Sequence, residues 1–293
     1  KQNQGKVVGE VKVEKPIEVL FEGVDLNTYF QDDKPCMVDF NIPESFAYLF
    51  VGHWMQGNLG EDRKNVGYLI KAFLETFKNT KNAPALILKT SGSGASYMDK
   101  KLILKRYYEI RKTVKGKLPN IYILHGEFTN EEMNSIYNHS KVKAMVCLTK
   151  GEGFGRPLLE FSQSKKPIIV SAWSGHMDFL HPEYNVLING KLKNVDKSAV
   201  VPNIILPESQ WFTPNHSEVG AAFKNVWKDY KKYTELGKRQ AYYSKTNFSW
   251  EKMDEKLNSY LDNNIPEFAQ QVNLTLPNLG TPTSKTLQLP KLK

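Results

Sequence analysis

The stretch from residue 142 to residue 161 constrains this chain more than any other. Residues 142–149 (VKAMVCLT) are apolar and rich in strand-forming types, which predicts a buried strand. The glycine-rich run GEGFGR follows at residues 151–156, and an apolar helical spacing begins after Pro157. Proline suits a first helical turn, because its missing N–H has no helical partner there. The predicted order of strand, glycine loop and helix is a geometry for holding an anionic ligand at a helix N-terminus.

Two carboxylates lie in this stretch, eight positions apart. Glu152 is in the glycine loop, near the C-terminal end of the predicted strand, and Glu160 is inside the helical pattern. We expect Glu160 to point back from the first helical turns toward the crevice that Glu152 borders. The plain alternative is a pair of surface acids on an ordinary βα unit.

The string EGFGRPLLE (residues 152–160) resembles the Glu-x7-Glu signature of the retaining GT-B glycosyltransferases of glycosyltransferase family four. The resemblance runs over about residues 17–262. It implies the C-terminal, donor-binding half of a GT-B fold. It also implies transfer of a hexose-type sugar from a nucleoside-diphosphate sugar, with no cofactor and no metal ion. The acceptor and the base of the nucleotide are not specified by these residues.

Strands alternate with helices along the rest of the chain, which predicts parallel βαβ units in a doubly wound, Rossmann-like α/β sheet. Apolar runs predict strands at 17–21, 46–51, 85–89, 121–124, 143–148, 167–171 and 185–188. Helical spacing and capping residues predict helices at 63–77, 100–114, from 129 with Thr129 and Glu132 as a capping box, 214–244 and 249–261. Ligands of such sheets bind beyond the C-terminal ends of the strands.

Four segments are predicted. Residues 1–43 are expected to be the hinge and remnant of a preceding domain, because residues 22–25 (EGVD) resemble the hinge of family-four enzymes. Residues 44–245 are the expected nucleotide-sugar-binding domain, and residues 246–265 a C-terminal helix. Residues 266–293 are rich in Pro, Thr, Asn and Leu and are expected to be a disordered tail. The family's N-terminal acceptor-binding domain is expected as a partner that this chain lacks.

The resemblance implies roles for several cations. Arg63 and Lys64 look like the family's basic element, so Lys64 would bind the diphosphate and Arg63 would assist. Independently, cations in the first turn of a helix oppose its macrodipole, which favours a ligand role over a solvated pair. The family usually has an arginine after the glycine of the first strand, where this chain has His53. Arg156 is the alternative second cation.

For the glutamates, the resemblance implies contacts with the sugars of the donor. Glu152 would face the transferred sugar and act with Lys64 as a catalytic residue, and Glu160 would accept hydrogen bonds from the ribose hydroxyls. Three groups of backbone atoms would surround the donor: the N–H groups of Gly153, Phe154 and Gly155, the cleft at Gly126 for the base, and the small residues Ser174 and Gly175 near the sugar. Ser174 is alternatively an ordinary helix N-cap.

Composition excludes some classes. The chain has 293 residues and a net charge of +9, but its lysines are scattered and no arginine-rich arm or zinc-finger spacing occurs, so no specific nucleic-acid partner is expected. The sequence contains no apolar run long enough for a transmembrane helix, no signal-peptide core and only two cysteines, which predicts a cytoplasmic protein.

Three other classes of function compete with a glycosyltransferase. A non-catalytic nucleotide-sugar-binding module stays open. A Rossmann-type oxidoreductase is disfavoured, because no GxGxxG follows the first strand with an acid about 20 residues later. A basic surface-adhering protein with an inactive site is disfavoured by the presence of Lys64, Glu152 and Glu160.

Overall fold

The computed structural model describes residues 2–3, 6–7, 12–34, 37–92 and 94–266. The strands in these ranges are β1 (Gln2–Asn3), β2 (Lys6–Val7), β3 (Ala47–His53), β4 (Ala85–Ser91), β5 (Ile121–Leu124), β6 (Val142–Cys147), β7 (Ile168–Ser171), β8 (Val186–Ile188), β9 (Gly190–Asn194) and β10 (Gln210–Pro214). The helices are α1 (Val66–Phe77), α2 (Tyr97–Lys112), α3 (Asn130–Asn138), α4 (Arg156–Ser162), α5 (His216–Lys228), α6 (Tyr230–Asn247) and α7 (Trp250–Asn264). Two short 3₁₀ helices span Gly175–Asp178 and Lys197–Ala199.

Six strands form one parallel sheet in the order β5-β4-β3-β6-β7-β8. The chain starts in the middle with β3, moves outward through β4 to β5, and then crosses to the other side of β3 with β6. Helices cover both faces. This is a doubly wound, Rossmann-like α/β fold, and the predicted fold class is confirmed.

The two faces of the sheet are buried by different helices, because successive side chains of a strand point to opposite faces. Tyr48 and Phe50 pack in one core with residues of α1, α2 and α5. Ala47 and Leu49 pack in the other with residues of α3 and α4. Burial on both faces explains why these strands read as nearly continuous apolar runs.

Several predicted helix limits differ from the observed ones. The capping box at Thr129 and Glu132 is confirmed at the start of α3. α1 begins at Val66 rather than at residue 63, because Asn65 takes a left-handed conformation (φ 58°). α2 begins three residues before the predicted start, because the Ser96 side chain caps it. The predicted helix 214–244 is two helices, because Asp229 leaves the helical region (φ −118°, ψ 42°) and separates α5 from α6.

The predicted strand at residues 17–21 was wrong. This stretch has strand-forming residues, but strand propensity needs a pairing edge and a surface to cover. Ile17 and Val19 are instead exposed, and the Val19 carbonyl accepts a hydrogen bond from the Tyr260 hydroxyl of α7. The Phe21 ring packs on Phe248, and the first bridge to another segment is a single parallel one between Val24 and Ser249.

The antiparallel hairpin of β9 and β10 was not predicted. All five residues of β9 (GKLKN) are exposed, so the strand carries no apolar alternation that sequence reasoning can detect. Its register pairs Gly190 with Pro214 and Asn194 with Gln210. The hairpin lies between β8 and α5 in the chain.

The first and last predicted segments can be compared with the described residues. Within the predicted remnant 1–43, the side chains of Val24, Tyr29 and Phe40 are buried in the core on the α3 and α4 side of the sheet. Of the predicted tail 266–293, all but Pro266 lies outside the described residues. Among the residues that the structure describes, no helix has both the length and the apolar character needed to cross a bilayer.

Phe223 provides a test of the core between α5 and α1. Its ring is fully buried against Tyr48, Phe73 and Phe77. Phe223→Ala leaves a cavity there and is expected to lower the free energy of unfolding by about 3–5 kcal/mol. Urea denaturation followed by circular dichroism measures this. The control Tyr242→Ala removes a ring that is 74% exposed, and we expect a change within about 0.5 kcal/mol. Similar losses in both variants would contradict the packing described.

Candidate functional site

The site lies where the sheet changes direction. From β3 the chain winds to one side through β4 and β5, and from β6 it winds to the other side through β7 and β8. The connections that leave the C-terminal ends of β3 and β6 therefore diverge at this point. Open α/β sheets bind their ligands at this point. The connection after β3 carries Arg63 and Lys64, and the connection after β6 carries Glu152.

An ion-pair cluster joins these two connections. Lys64 Nζ lies 2.5 Å from Glu152 Oε1, and Arg63 Nη1 lies 3.5 Å from Glu152 Oε2. Arg63 Nη1 also donates to the Gly151 carbonyl at 2.5 Å. The Glu152 side chain is 8% exposed, whereas that of Arg63 is 40% exposed. The predicted catalytic pair, Glu152 and Lys64, is thus in direct contact.

The Glu152 carboxylate is held in its charged form. Burial opposes ionisation, but the charge and hydrogen bond of Lys64, with help from Thr149 and Arg63, outweigh it and hold the pKa of Glu152 below its ordinary value. The helix-dipole argument for Lys64 does not apply, because α1 begins at Val66 and both cations precede it. Their position is explained by contacts with Glu152 and Gly151 rather than by the helix end.

The glycine loop has the shape that its sequence predicts. Gly155 takes a left-handed conformation (φ 97°) as the residue before α4, and a proline stands near the start of that helix. A Cβ added at Gly151 or Gly153 would meet no atom within 4 Å, so open space adjoins the loop at both positions. Phe154 turns inward instead and packs on the Phe179 ring.

The connection after β7 clamps the glycine loop from the other side. Ser174 Oγ donates to the Glu152 carbonyl at 2.6 Å and accepts from the Glu152 N–H at 2.9 Å. The Gly175 N–H donates to the same carbonyl at 3.2 Å. The Ser174 side chain is therefore bonded to the Glu152 backbone rather than to the helix that follows it. This brings Ser174 and Gly175 against the glycine loop.

Glu160 is placed differently from Glu152. Its carboxylate accepts from Arg156 Nε at 2.7 Å and from the Tyr137 hydroxyl at 3.2 Å, and its side chain is 6% exposed. Burial raises the pKa of Glu160, and the bonds from Arg156 and Tyr137 oppose this only in part. Both carboxylate oxygens thus have protein partners, and none of these belongs to the Lys64 cluster.

The remaining predicted residues lie along the C-terminal edge of the sheet. His53 ends β3, is exposed, and has its Nδ1 3.1 Å from the Ser91 hydroxyl at the end of β4. Gly126 follows β5 with φ 138° and open space where a Cβ would lie. The neighbouring His125 bonds Asp99 at 2.9 Å, which fixes its ring beside Gly126. Neither His53 nor Gly126 contacts the Lys64 cluster.

Sequence reasoning missed one buried cation, Lys150. Its Nζ donates to the Gly60 carbonyl at 2.6 Å, and the residue is 4% exposed. The one available signal was a lysine directly between an apolar strand and the glycine loop. In the part of the chain that the structure describes, no group of three or more His, Cys, Asp or Glu side chains is arranged to hold a metal ion.

The switch point of this Rossmann-like sheet is thus bordered by two cations and a buried carboxylate. The family described as "Glycosyl transferases group 1" matches residues 49–199, just over half of the chain. The chain belongs to this family. No curated protein matches its sequence.

Solved structures agree on the fold. The C-terminal domain of the group 1 glycosyl transferase LpcC from Francisella tularensis aligns with a TM-score of 0.57 and 15% identity, over 78% of this chain and 100% of that domain. Sucrose-phosphate synthase from Thermosynechococcus elongatus gives 0.57 and 14%, over 84% of this chain and 52% of that one. Anabaena Alr3699/HepE, in complex with UDP and glucose, gives 0.56 and 11%, over 84% and 57%.

These likenesses show that the domain has the fold of GT-B C-terminal domains. The chain spans the whole LpcC domain and little more than half the length of the two longer proteins.

Gly175 tests the clamp between the two loops. A Cβ at this position would lie 1.9 Å from the Gly153 carbonyl oxygen, so one loop must move. Gly175→Ala is expected to lower the free energy of unfolding by about 1–3 kcal/mol, as overpacked substitutions do. Chemical denaturation measures it, with Gly151→Ala as the matched control in open space. A Gly175→Ala protein as stable as the control would show that the loops do not meet as described.

Proposed function

We propose that this chain is the donor-binding half of a retaining glycosyltransferase of family four. It binds a nucleoside-diphosphate sugar, and the sugar, a hexose, is transferred to an acceptor with retention of configuration. The observation that carries the proposal is the cluster of Arg63, Lys64 and Glu152 at the switch point of the sheet. The glutamate motif and the family membership support it.

The charge of the cluster suits a diphosphate. Two cations face one carboxylate, so one positive charge remains for a ligand. Lys64 has three donor hydrogens and its bond to Glu152 uses one of them. Negative charge develops on the departing diphosphate during transfer, and fixed cations placed there stabilise it. In this proposal Lys64 and Arg63 do this without a metal ion.

Glu152 acts on the sugar side. Its backbone is fixed by Ser174 and its carboxylate by Lys64, so it is preorganised before the donor arrives. The open space beside Gly151 and Gly153 leaves room for sugar or phosphate oxygens next to the loop. Glu152 then accepts hydrogen bonds from sugar hydroxyls while it continues to orient Lys64.

Glu160 acts on the ribose. A carboxylate has about four acceptor positions and Glu160 uses two, so the ribose hydroxyls bind in addition to Tyr137 or in place of Arg156. The Arg156 side chain is 59% exposed, and once released it reaches the phosphates as the second cation. His53 at the end of β3 and the open backbone at Gly126 complete the donor site.

A second domain supplies the acceptor in this proposal. α7 contains no buried residue, and its apolar side chains Trp250, Leu257 and Leu261 are 38–52% exposed. The adjacent segment with Ile17 and Val19 is also exposed and apolar. Such a surface suits packing against a further domain, and the longer proteins that share the fold are about twice the length aligned here.

Nucleotide binding tests the proposal directly. UDP is the first probe, because the Anabaena neighbour was solved with UDP and glucose. We expect isothermal titration calorimetry to show UDP binding with EDTA present. Lys64→Ala is expected to weaken it about tenfold or more, since hydrogen bonds to charged groups contribute about 1.5–3 kcal/mol. Lys81→Ala, an exposed lysine, is the control.

Thermal unfolding of each variant confirms that affinity is compared between folded proteins. Binding that requires magnesium or manganese would contradict metal independence. Binding that Lys64→Ala leaves unchanged would contradict the assignment of the cluster.

Turnover distinguishes a transferase half from a binding module. Orienting two substrates contributes about 7–11 kcal/mol, and a donor half alone does not provide it. We therefore expect this chain to turn over UDP-glucose much more slowly than about 1 per second, the low end for enzymes. If the wild-type chain slowly releases glucose from UDP-glucose and Glu152→Gln abolishes this release, the result supports a transferase half. Tight binding with no release favours the binding module, and fast transfer to an acceptor would contradict the two-domain account.

A further inference from the structure

Lys150 is a buried lysine that the proposed chemistry does not use. It lies between β6 and the glycine loop and is 4% exposed. Its Nζ donates to the Gly60 carbonyl at 2.6 Å, and its backbone N–H donates to the Arg63 carbonyl at 2.8 Å. One residue therefore holds the connection after β3 at two points, on either side of Asp62.

The segment held by Lys150, residues 60–65, carries buried polar side chains. Asp62 and Asn65 are each 1% exposed, and Asp62 Oδ2 accepts the N–H of Val66 at the start of α1. Among the described residues, Asp62 Oδ1 and the side-chain atoms Oδ1 and Nδ2 of Asn65 have no hydrogen-bond partner. The Lys150 ammonium attracts the Asp62 carboxylate and offsets part of its burial. Burial still raises the pKa of Asp62, because the Val66 N–H and the Lys150 charge oppose it only in part.

The hairpin of β9 and β10 braces Lys150 from the other side. The Phe212 N–H donates to the Lys150 carbonyl at 3.0 Å, and the ammonium lies 5.9 Å from the centre of the Trp211 ring. Asp196, just after β9, also attracts the ammonium. Lys150 is thus fixed between the hairpin and the connection that carries the donor-site cations.

We propose that Lys150 is a positioning residue that sets Arg63 and Lys64 in place for the nucleotide diphosphate, acting through Gly60 and the Arg63 carbonyl. The proposal rests on the proposed function of the cluster. It assigns to the hairpin the task of supporting the donor site rather than contacting the donor. It requires that removing the Lys150 side chain weakens diphosphate binding more when Lys64 is present than when Lys64 is absent.

A double-mutant cycle tests this. UDP affinity is measured by calorimetry for the wild type, Lys150→Met, Lys64→Ala and the double variant. We expect Lys150→Met to weaken binding about tenfold in the wild-type background and about threefold or less when Lys64 is already alanine. Lys193→Met, which removes an exposed charge from the neighbouring strand β9, is the matched control and is expected to change affinity less than twofold.

A second measurement needs no ligand. Amide hydrogen exchange of peptides covering residues 58–66 is expected to be faster in Lys150→Met than in the wild type or Lys193→Met. If Lys150→Met is poorly folded, the charge-matched variant Asp62→Asn/Lys150→Met replaces it in both experiments, because it leaves no unpaired carboxylate.

The outcomes separate the two claims. Unchanged exchange, or equal affinity losses with and without Lys64, would overturn the role of Lys150. A wild-type chain that binds none of UDP, GDP and ADP would overturn the proposed function, and the exchange result would still decide whether Lys150 positions the segment.

Discussion

The buried carboxylate of Glu152 is the constraint around which the site is organised. A carboxylate that is 8% exposed requires compensating charge, and Lys64 and Arg63 supply it from a different connection of the sheet. Buried ion pairs add little net stability, yet losing one partner is strongly destabilising. The pair is therefore poorly explained as a stabilising device. It is better explained as a way to hold a cation at the edge where ligands of such sheets bind.

The two glutamates of one motif respond to pH in opposite directions. The pKa of Glu152 lies below its unfolded value, so its contribution to stability is present above the unfolded pKa and is lost as the pH falls through the folded one. The pKa of Glu160 lies above its unfolded value, so the native state loses stability as the pH rises between the two values. The difference arises because Lys64, with Thr149 and Arg63, outweighs burial at Glu152, whereas Arg156 and Tyr137 offset burial only in part at Glu160.

The sequence predicted features whose interacting residues are close together in the chain, and it missed contacts between residues that are far apart. Strand β6, the glycine loop and α4 were predictable, because their patterns are local and the motif letters fix the turn. The rule that ligand sites lie at C-terminal strand ends put Lys64 and Glu152 at the same edge of the sheet, but their ion pair was not predicted. The bond from Tyr137 to Glu160 did not follow, because Tyr137 comes from α3 and no local pattern points to it. The strand predicted at 17–21 failed for the same reason, since pairing is not a local property.

The hairpin of β9 and β10, which was not predicted, packs against the connections that carry the site. Phe212 of β10 bonds Lys150 and stacks in parallel with Trp173, the residue before Ser174. Ser174 has φ 89° and ψ −174°, a conformation that is nearly restricted to glycine. A non-glycine residue stays there only when its surroundings over-determine it, and here three hydrogen bonds join Ser174 and Gly175 to the Glu152 backbone. The connections after β3, β6 and β7 and the hairpin thus fix one another, and the strained serine marks the point where the carboxylate must be held still.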